Sequence, residues 1–154
     1  MCERLRGASL MLALLFALLL APIGATRANP ICAADQSMRI QIGAQSFDVS
    51  LAASEQERER GLSGRAALKP GNGMWFVFPE PGRHGFWMRD MNFPIDLVWV
   101  SPARQVLGAI SLQPCGHDTC PIHMAPAPVG YVLEINAGEF AGKAGDEVVW
   151  RCAH

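Results

Sequence analysis

The sequence lacks any cluster of basic residues and any long hydrophobic run. Its 13 lysines and arginines are spread along 154 residues and are outnumbered by 14 aspartates and glutamates. Proteins that bind nucleic acid need a positive stripe that neutralises phosphates, so this class is excluded. The apolar run Leu10–Ala21 has twelve residues, whereas a helix that spans a bilayer needs about 20. We therefore expect no stable membrane span in the mature protein.

The sequence also lacks a recognisable catalytic motif and an internal repeat. No serine lies in the glycine-flanked turn that presents a hydrolytic nucleophile. No cofactor fingerprint is present, so we expect no cofactor. The sequence favours a protein that is not an enzyme, but it does not decide whether the protein has a catalytic activity.

The first residues have the pattern of a secretory signal. Arg4 and Arg6 precede the apolar run, Pro22 interrupts its end, and small residues allow cleavage after Ala28. We expect residues 1–28 to be removed on export to the periplasm or the exterior.

Two alternatives to a cleaved signal are disfavoured. An uncleaved membrane anchor would need a longer run without Pro22. A lipoprotein would need small residues just before Cys32, where Asn29–Ile31 stand instead. Removal of residues 1–28 leaves 126 residues, 29–154, with 10 basic and 13 acidic side chains, which is a net charge of −3. This length suits a single domain.

The mature chain keeps an even number of cysteines, Cys32, Cys115, Cys120 and Cys152. In an exported protein four cysteines indicate two disulfides, for which three pairings exist. We favour Cys115 with Cys120, because the short loop between them can bring their Cα atoms within bonding range. Cys32 then pairs with Cys152 and joins the two ends of the domain.

Most of the mature chain shows strand patterns. A hairpin is expected from 38–42 and 47–51, where apolar and polar residues alternate. Ser54 and Glu57 form a capping box for one short helix near 54–62. The remaining strands are expected at 74–78, 86–88, 95–100, 106–112, 131–135 and 147–152, with a turn at 79–82. The predicted fold is α+β, a small and mostly antiparallel β-barrel or sandwich of seven to eight short strands.

Several segments in order resemble the domain of unknown function 192 family. They are Glu59–Arg65, Gly73–Phe78, Phe86–Met91, Pro94–Asp96, Val132–Gly138 and Gly145–Val148. The resemblance covers about residues 38–150 and implies a small β-rich domain, often exported or membrane-associated in bacteria. It implies no activity for any residue. Ser63 and Asp90 depart from the Met and Asn that the family pattern leads us to expect, and the segment 115–123 is an addition.

The segment from His84 to Asp96 is the best candidate site, because it combines aromatic, thioether, cationic, anionic and amide side chains. If the chain is extended there, Trp87 and Arg89 share one face and Met88 and Asp90 the other. The candidate ligand-binding residues are Trp87, Arg89, Asp90, Asn92, Asp96 and Glu134. The alternative is that Trp87 and Met88 only pack in the core, and that Arg89 pairs with a nearby carboxylate.

Two other functions remain open. Asp90, Asp96 and Glu134 could supply paired carboxylates for glycoside hydrolysis if two of them lie about 5 to 9 Å apart. The segment 115–124 could bind copper or zinc, with His117, His123 and Met124 as ligands if the cysteines form a disulfide.

The sequence as a whole predicts a monomeric exported domain. We expect it to bind a small polar or carbohydrate-like ligand, or an envelope protein, through the face with Trp87, Arg89 and Asp90.

Overall fold

The structure, a computed structural model, describes residues 32, 37–116 and 119–153. The predicted signal peptide and His117 lie outside this part of the chain. The elements are β1 (Ser37–Ile42), β2 (Gln45–Ala52), α1 (Glu55–Arg60), β3 (Asn72–Gly82), β4 (Gly85–Phe86), β5 (Ile95–Val100), β6 (Val106–Leu112), β7 (His123–Met124), β8 (Val129–Asn136) and β9 (Val148–Ala153). No helix in the described ranges has the length and hydropathy needed to cross a membrane.

Seven strands form one mixed sheet in the order β6-β5-β8-β3-β2-β1-β9, and β4 pairs with β7 in a separate ladder. All neighbours are antiparallel except β2 and β3. A bridge between Gln105 and Glu147 and a few backbone hydrogen bonds beside it connect the β6 and β9 sides, but the sheet does not close in the described part of the chain. The prediction of a mostly β, barrel- or sandwich-like fold with one short helix is confirmed.

The parallel pairing of β2 and β3 dictates the path of the chain between them. Parallel neighbours need a connection that crosses a face of the sheet, and here residues 53–71 form it; we call this segment the crossover. It contains α1, whose predicted capping box is confirmed: the Ser54 hydroxyl accepts from the Glu57 amide, and the Glu57 carboxylate accepts from the Ser54 amide. The crossover therefore lies over one face of the sheet.

The central strands are covered on both faces, as their apolar sequences predict. All six residues of β5 are buried. One face, which we call the Trp75 face, packs Trp75, Val98 and Leu133 in one cluster. The opposite face, the Phe76 face, packs Phe76, Leu97 and Val132 in a second cluster. The molecule thus has two cores separated by the sheet.

Each core has its own disulfide. The pairs are the two that the sequence favours: Cys32 with Cys152, Cα atoms 5.4 Å apart, and Cys115 with Cys120, 5.3 Å apart. Cys32 packs against the Trp75 face, and Cys115 and Cys120 pack against the Phe76 face.

The predicted turn at 79–82 is wrong. Strand β3 continues to Gly82, and its register with β8 shifts between Val77 and Gly82. Pro79 and Pro81 lie within this shift, where a residue without an amide hydrogen is tolerated. The end of the strand therefore still pairs with β8, where Gly82 lies opposite Val129.

Candidate functional site

A cavity of about 370 Å³ opens on the Phe76 face between the crossover and the β3–β4 region. Its apolar wall includes Phe76, Phe86, Trp87, Met88 and Met91. These side chains come from β3 and from the segment after it, and α1 forms the opposite wall. The cavity therefore lies where the crossover meets the candidate segment that the sequence indicates.

Glu134 is the one buried charged residue that lines this cavity, among the residues that the structure describes. It lies on β8 opposite Met74 of β3 and Leu97 of β5, which places its side chain on the Phe76 face. The residue is 6% exposed, and its carboxyl has no hydrogen bond in the described ranges. Burial raises its pKa to about 8, against a smaller opposite effect of Arg65. Near neutral pH the group is mainly protonated.

The backbone of the crossover comes close to this carboxyl at Gly61. Gly61 caps α1 with φ 51° and ψ −134°, and its amide donates to the Glu57 carbonyl. A Cβ atom here would lie 3.5 Å from the Phe76 ring and 3.9 Å from Glu134 Oε2. Glycine thus satisfies both the left-handed backbone and the limited space beside Glu134.

Polar side chains at the edge of the cavity are partly fixed. Arg58 donates hydrogen bonds to the carbonyls of Ala53 and Val77. Its guanidinium carbon lies 5.5 Å from the centre of the Phe78 ring. The His84 ring stacks on the same phenyl ring, with the ring centres 3.7 Å apart. Arg58 and His84 therefore hold Phe78 in place.

Trp87 is the predicted site residue that the structure places beside Glu134 in the cavity. Its side chain is 42% exposed, and the Arg89 guanidinium carbon lies 5.9 Å from its ring centre. The condition of an extended chain through Asp90 is not met, because residues 89 and 90 form a turn and Asp90 has φ 57°. Trp87 and Arg89 do share the exposed side, while Met88 is buried.

Arg89, Asp90 and Asn92 connect this segment to the crossover. The Arg89 carbonyl accepts from the Ser63 hydroxyl at 2.9 Å, and the Asp90 carbonyl accepts from the Gly64 amide at 2.9 Å. The Asn92 side chain donates to the Arg65 carbonyl at 2.9 Å. These contacts fix the two walls of the cavity relative to each other.

Asp96 lies on the opposite face from Glu134. It pairs across strands with Ile135, a residue of the Trp75 face. Its carboxylate accepts from the Ser111 hydroxyl at 2.5 Å and from the amides of Gly138 at 2.8 Å and Phe140 at 3.0 Å. The structure therefore does not bring together Asp96 and Glu134, one of the carboxylate pairs that the hydrolase hypothesis allows, and Asp96 instead holds the turn after β8.

The metal hypothesis gains no ligand set. His123 is half-buried and Met124 is 53% exposed on β7. Within the described ranges no group of three His, Cys, Asp or Glu side chains could hold a metal ion.

Sequence reasoning missed the wall that α1 and Gly61 contribute to the cavity. The capping box and Gly61 predict only where the helix begins and ends. Which face of the sheet the helix covers depends on the parallel pairing of β2 and β3, and no local pattern predicts that pairing.

Two solved structures are similar to this chain. A protein from Sinorhizobium meliloti 1021, described as a candidate transcription regulator, has 26% sequence identity and a TM-score of 0.66; the match covers 75% of this chain and 92% of that one. A protein of unknown function from Novosphingobium aromaticivorans DSM 12444 has 31% identity and a TM-score of 0.65, over 74% and 84% of the two chains. No curated protein matches the sequence.

The model of the family DUF192, described as "Uncharacterized ACR", matches residues 38–150. The match includes both cores, the crossover and Glu134. This chain therefore belongs to the DUF192 family.

Proposed function

We propose that this protein is an exported domain that binds a small ligand in the cavity of the Phe76 face. The observation that carries the proposal is the Glu134 carboxyl, which is buried, lines the cavity and has no hydrogen-bond partner in the described part of the chain. A single carboxyl on a mostly apolar cavity wall is the kind of polar group that orients a small ligand.

The size and lining of the cavity support this function. Its volume of about 370 Å³ lies in the usual range for small-molecule sites, about 300 to 1,000 Å³. Such sites combine an apolar lining with few polar groups that orient the ligand. The exposed indole of Trp87 offers a surface on which a sugar or another ring can stack. Glu134 then supplies the polar contact at the base.

Export is the second part of the proposal, with residues 1–28 as a cleaved signal and 29–154 as the mature domain. Two disulfides support it, because disulfides persist in oxidising compartments. Mass spectrometry of the protein purified from its native source tests this part. We expect an N-terminus at Asn29 and no free thiol; an intact N-terminus with reduced cysteines would contradict it.

The binding part is tested by thermal shift and calorimetry with monosaccharides, amino sugars and small aromatic alcohols and amines. We expect at least one of them to bind, and Trp87→Ala to weaken it by about tenfold or more, since stacking and ring burial are lost. Ile110→Ala is the matched control, because Ile110 is also an exposed apolar residue but lies on β6, outside the cavity.

Equal losses in both variants would show that binding does not depend on the cavity. If none of these compounds binds, an envelope protein at the same face becomes the better hypothesis.

A further inference from the structure

We infer that the ligand is an organic cation, an amine attached to a ring or another apolar body, and that its nitrogen lies at Glu134. The inference rests on the proposed function, since it names the chemical class of the ligand for the same cavity. Three properties of the lining lead to it: its charge, its hydrogen-bonding groups and its aromatic rings.

The charge of the lining favours a cation. The acidic side chains are Glu55, Glu59, Glu80 and Glu134, and the basic ones are Arg58 and Arg60, with His84 as a titratable neighbour. Without His84, the four acids and two arginines give a charge of −2 when Glu134 is ionised and −1 when it is protonated. Arg58 is already engaged with two backbone carbonyls. An anionic ligand would therefore meet repulsion without a free pair of cations to bind it.

The hydrogen-bonding capacity of Glu134 points the same way. An ionised carboxylate only accepts hydrogen bonds, whereas an ammonium group only donates them. The two groups are complementary, and a charge-assisted hydrogen bond is about twice as strong as a neutral one. A neutral hydroxyl can also donate to the carboxylate, but it leaves the buried negative charge uncompensated. An amine both donates to the carboxylate and neutralises its buried charge.

The aromatic wall provides the third argument. Phe76 and Phe86 meet edge to face with ring centres 5.3 Å apart, and Trp87 continues this wall towards solvent. Aromatic faces attract cations within about 6 Å of the ring centre. Arg89 already makes such a contact with Trp87 at 5.9 Å. Aromatic rings beside a buried carboxyl form a site in which a substituted ammonium is stabilised from several sides.

Binding of a cation should also displace the proton of Glu134. Because its pKa is about 8, the affinity for a permanent cation should rise with pH from 6 to 8 and then level off. The charged groups around it are Arg65 in the crossover, the α1 residues Glu55, Arg58, Glu59 and Arg60, and Glu80 and His84 near the end of β3. Only the part of the pH dependence that Glu134→Gln removes is assigned to Glu134.

The experiment is calorimetric titration of the oxidised mature protein with matched probes. The pairs are 2-phenylethylamine with 2-phenylethanol, and glucosamine with glucose; benzyltrimethylammonium is the permanent cation for the pH series. We expect the amine of at least one pair to bind about tenfold or more tightly than its neutral partner. Glu134→Gln should abolish this preference and the pH dependence of benzyltrimethylammonium binding.

Glu59→Gln is the matched control. It removes the same formal charge from the lining of the cavity, but Glu59 is exposed on α1. We expect it to change the preference by no more than about twofold, as for an exposed charge. An equal loss in both variants would overturn the assignment of the cation to Glu134.

The other outcomes separate the two proposals. If the neutral member of each pair binds as tightly as the amine, and Trp87→Ala weakens both, the cavity is a ligand site but the cation inference is wrong. If neither member of any pair binds, and benzyltrimethylammonium does not bind either, the inference is wrong and the proposed small-ligand site loses its support as well.

Discussion

The two faces of the central strands contain the same kinds of side chains, but the buried carboxyl groups on them have different contacts. Each face has an apolar cluster, one disulfide and one buried carboxyl group. On the Trp75 face, Asp96 accepts three hydrogen bonds from groups of the protein itself. On the Phe76 face, Glu134 faces a cavity and accepts none in the described ranges. One carboxyl is bonded within the fold, and the other faces a cavity.

The register between β5 and β8 creates this difference. Asp96 lies opposite Ile135, and Glu134 lies opposite Leu97, one step along the same ladder. Side chains alternate between faces, so a step of one residue places the two carboxyls on opposite sides of the sheet. If the faces differ as described, substitutions on the Trp75 face should lower stability. Substitutions on the Phe76 face should change the pH dependence of stability and the affinity for a ligand.

The largest difference in unfolding free energy is expected between variants that lack one disulfide and variants that lack the other. Replacing both Cys32 and Cys152 with serine opens a link across 120 residues, whereas the Cys115 and Cys120 pair spans five. By the loop-entropy relation the losses of unfolding free energy are about 5 and about 2 kcal/mol. Urea unfolding of the two double variants measures them. Equal losses would show that the link between the chain ends is not the main constraint on the unfolded state.

Asp96→Ala should have the next largest effect. It leaves the amides of Gly138 and Phe140 without their acceptor, so we expect a loss of about 3 kcal/mol. The control is Asp48→Ala, which removes an exposed ion pair with Arg39 and should cost less than about 1 kcal/mol. Urea unfolding at pH 7 compares the two; similar values would mean that Asp96 does not hold the turn after β8.

Glu134 should make stability depend on pH. Its pKa rises from 4.5 in the unfolded chain to about 8 in the fold. Between these values the folded state keeps a proton that the unfolded state has lost, so the free energy of unfolding falls as pH rises and levels off above 8. The total decrease is on the order of a few kcal/mol. Denaturant titrations from pH 5 to 9 should show this decrease in the wild type and a much smaller one in Glu134→Gln; parallel curves would contradict the burial of an ionisable group.

Gly61→Ala should have the smallest effect on stability. Alanine at φ 51° and ψ −134° would lie in a sparsely populated backbone region, which costs about 1 to 3 kcal/mol. Its methyl group would also lie next to Glu134, so ligand affinity should fall as well. Gly116→Ala is the control, since a Cβ atom there meets nothing within 4 Å. Thermal unfolding measures the loss of stability, and calorimetry measures the loss of ligand affinity. Equal results for the two variants would contradict both expectations.

The sequence predicts the local elements of this fold well. The capping box at Ser54 and Glu57 is formed, and β5 and β6 have the predicted bounds. Such features depend on residues close in the chain. The parallel pairing of β2 with β3 could not be predicted, because strand pairing depends on distant residues. The register shift after Val77 also comes from contacts with β8.

The sequence predicts two of the residues that line the cavity but not the geometry of the cavity. Trp87 and Glu134 are both among the predicted site residues, and both line the cavity. The sequence gives Asp96 the same rank as Glu134, since both are carboxylates in apolar strands. The register between strands places the two carboxylates on opposite faces of the sheet. Alternation within one strand does not reveal that register. Their roles as ligand contacts stay predictions until binding is measured.

The crossover is both a wall of the cavity and a part of the core. Leu62 is 1% exposed and lies in the cluster of the Phe76 face, and Arg58 donates to the Val77 carbonyl of β3. Asn136 of β8 donates to the carbonyls of Leu68 and Lys69. A change of sequence in this connection would therefore affect the packing of the sheet as well as the space beside Glu134, so the cavity and the fold could not vary independently.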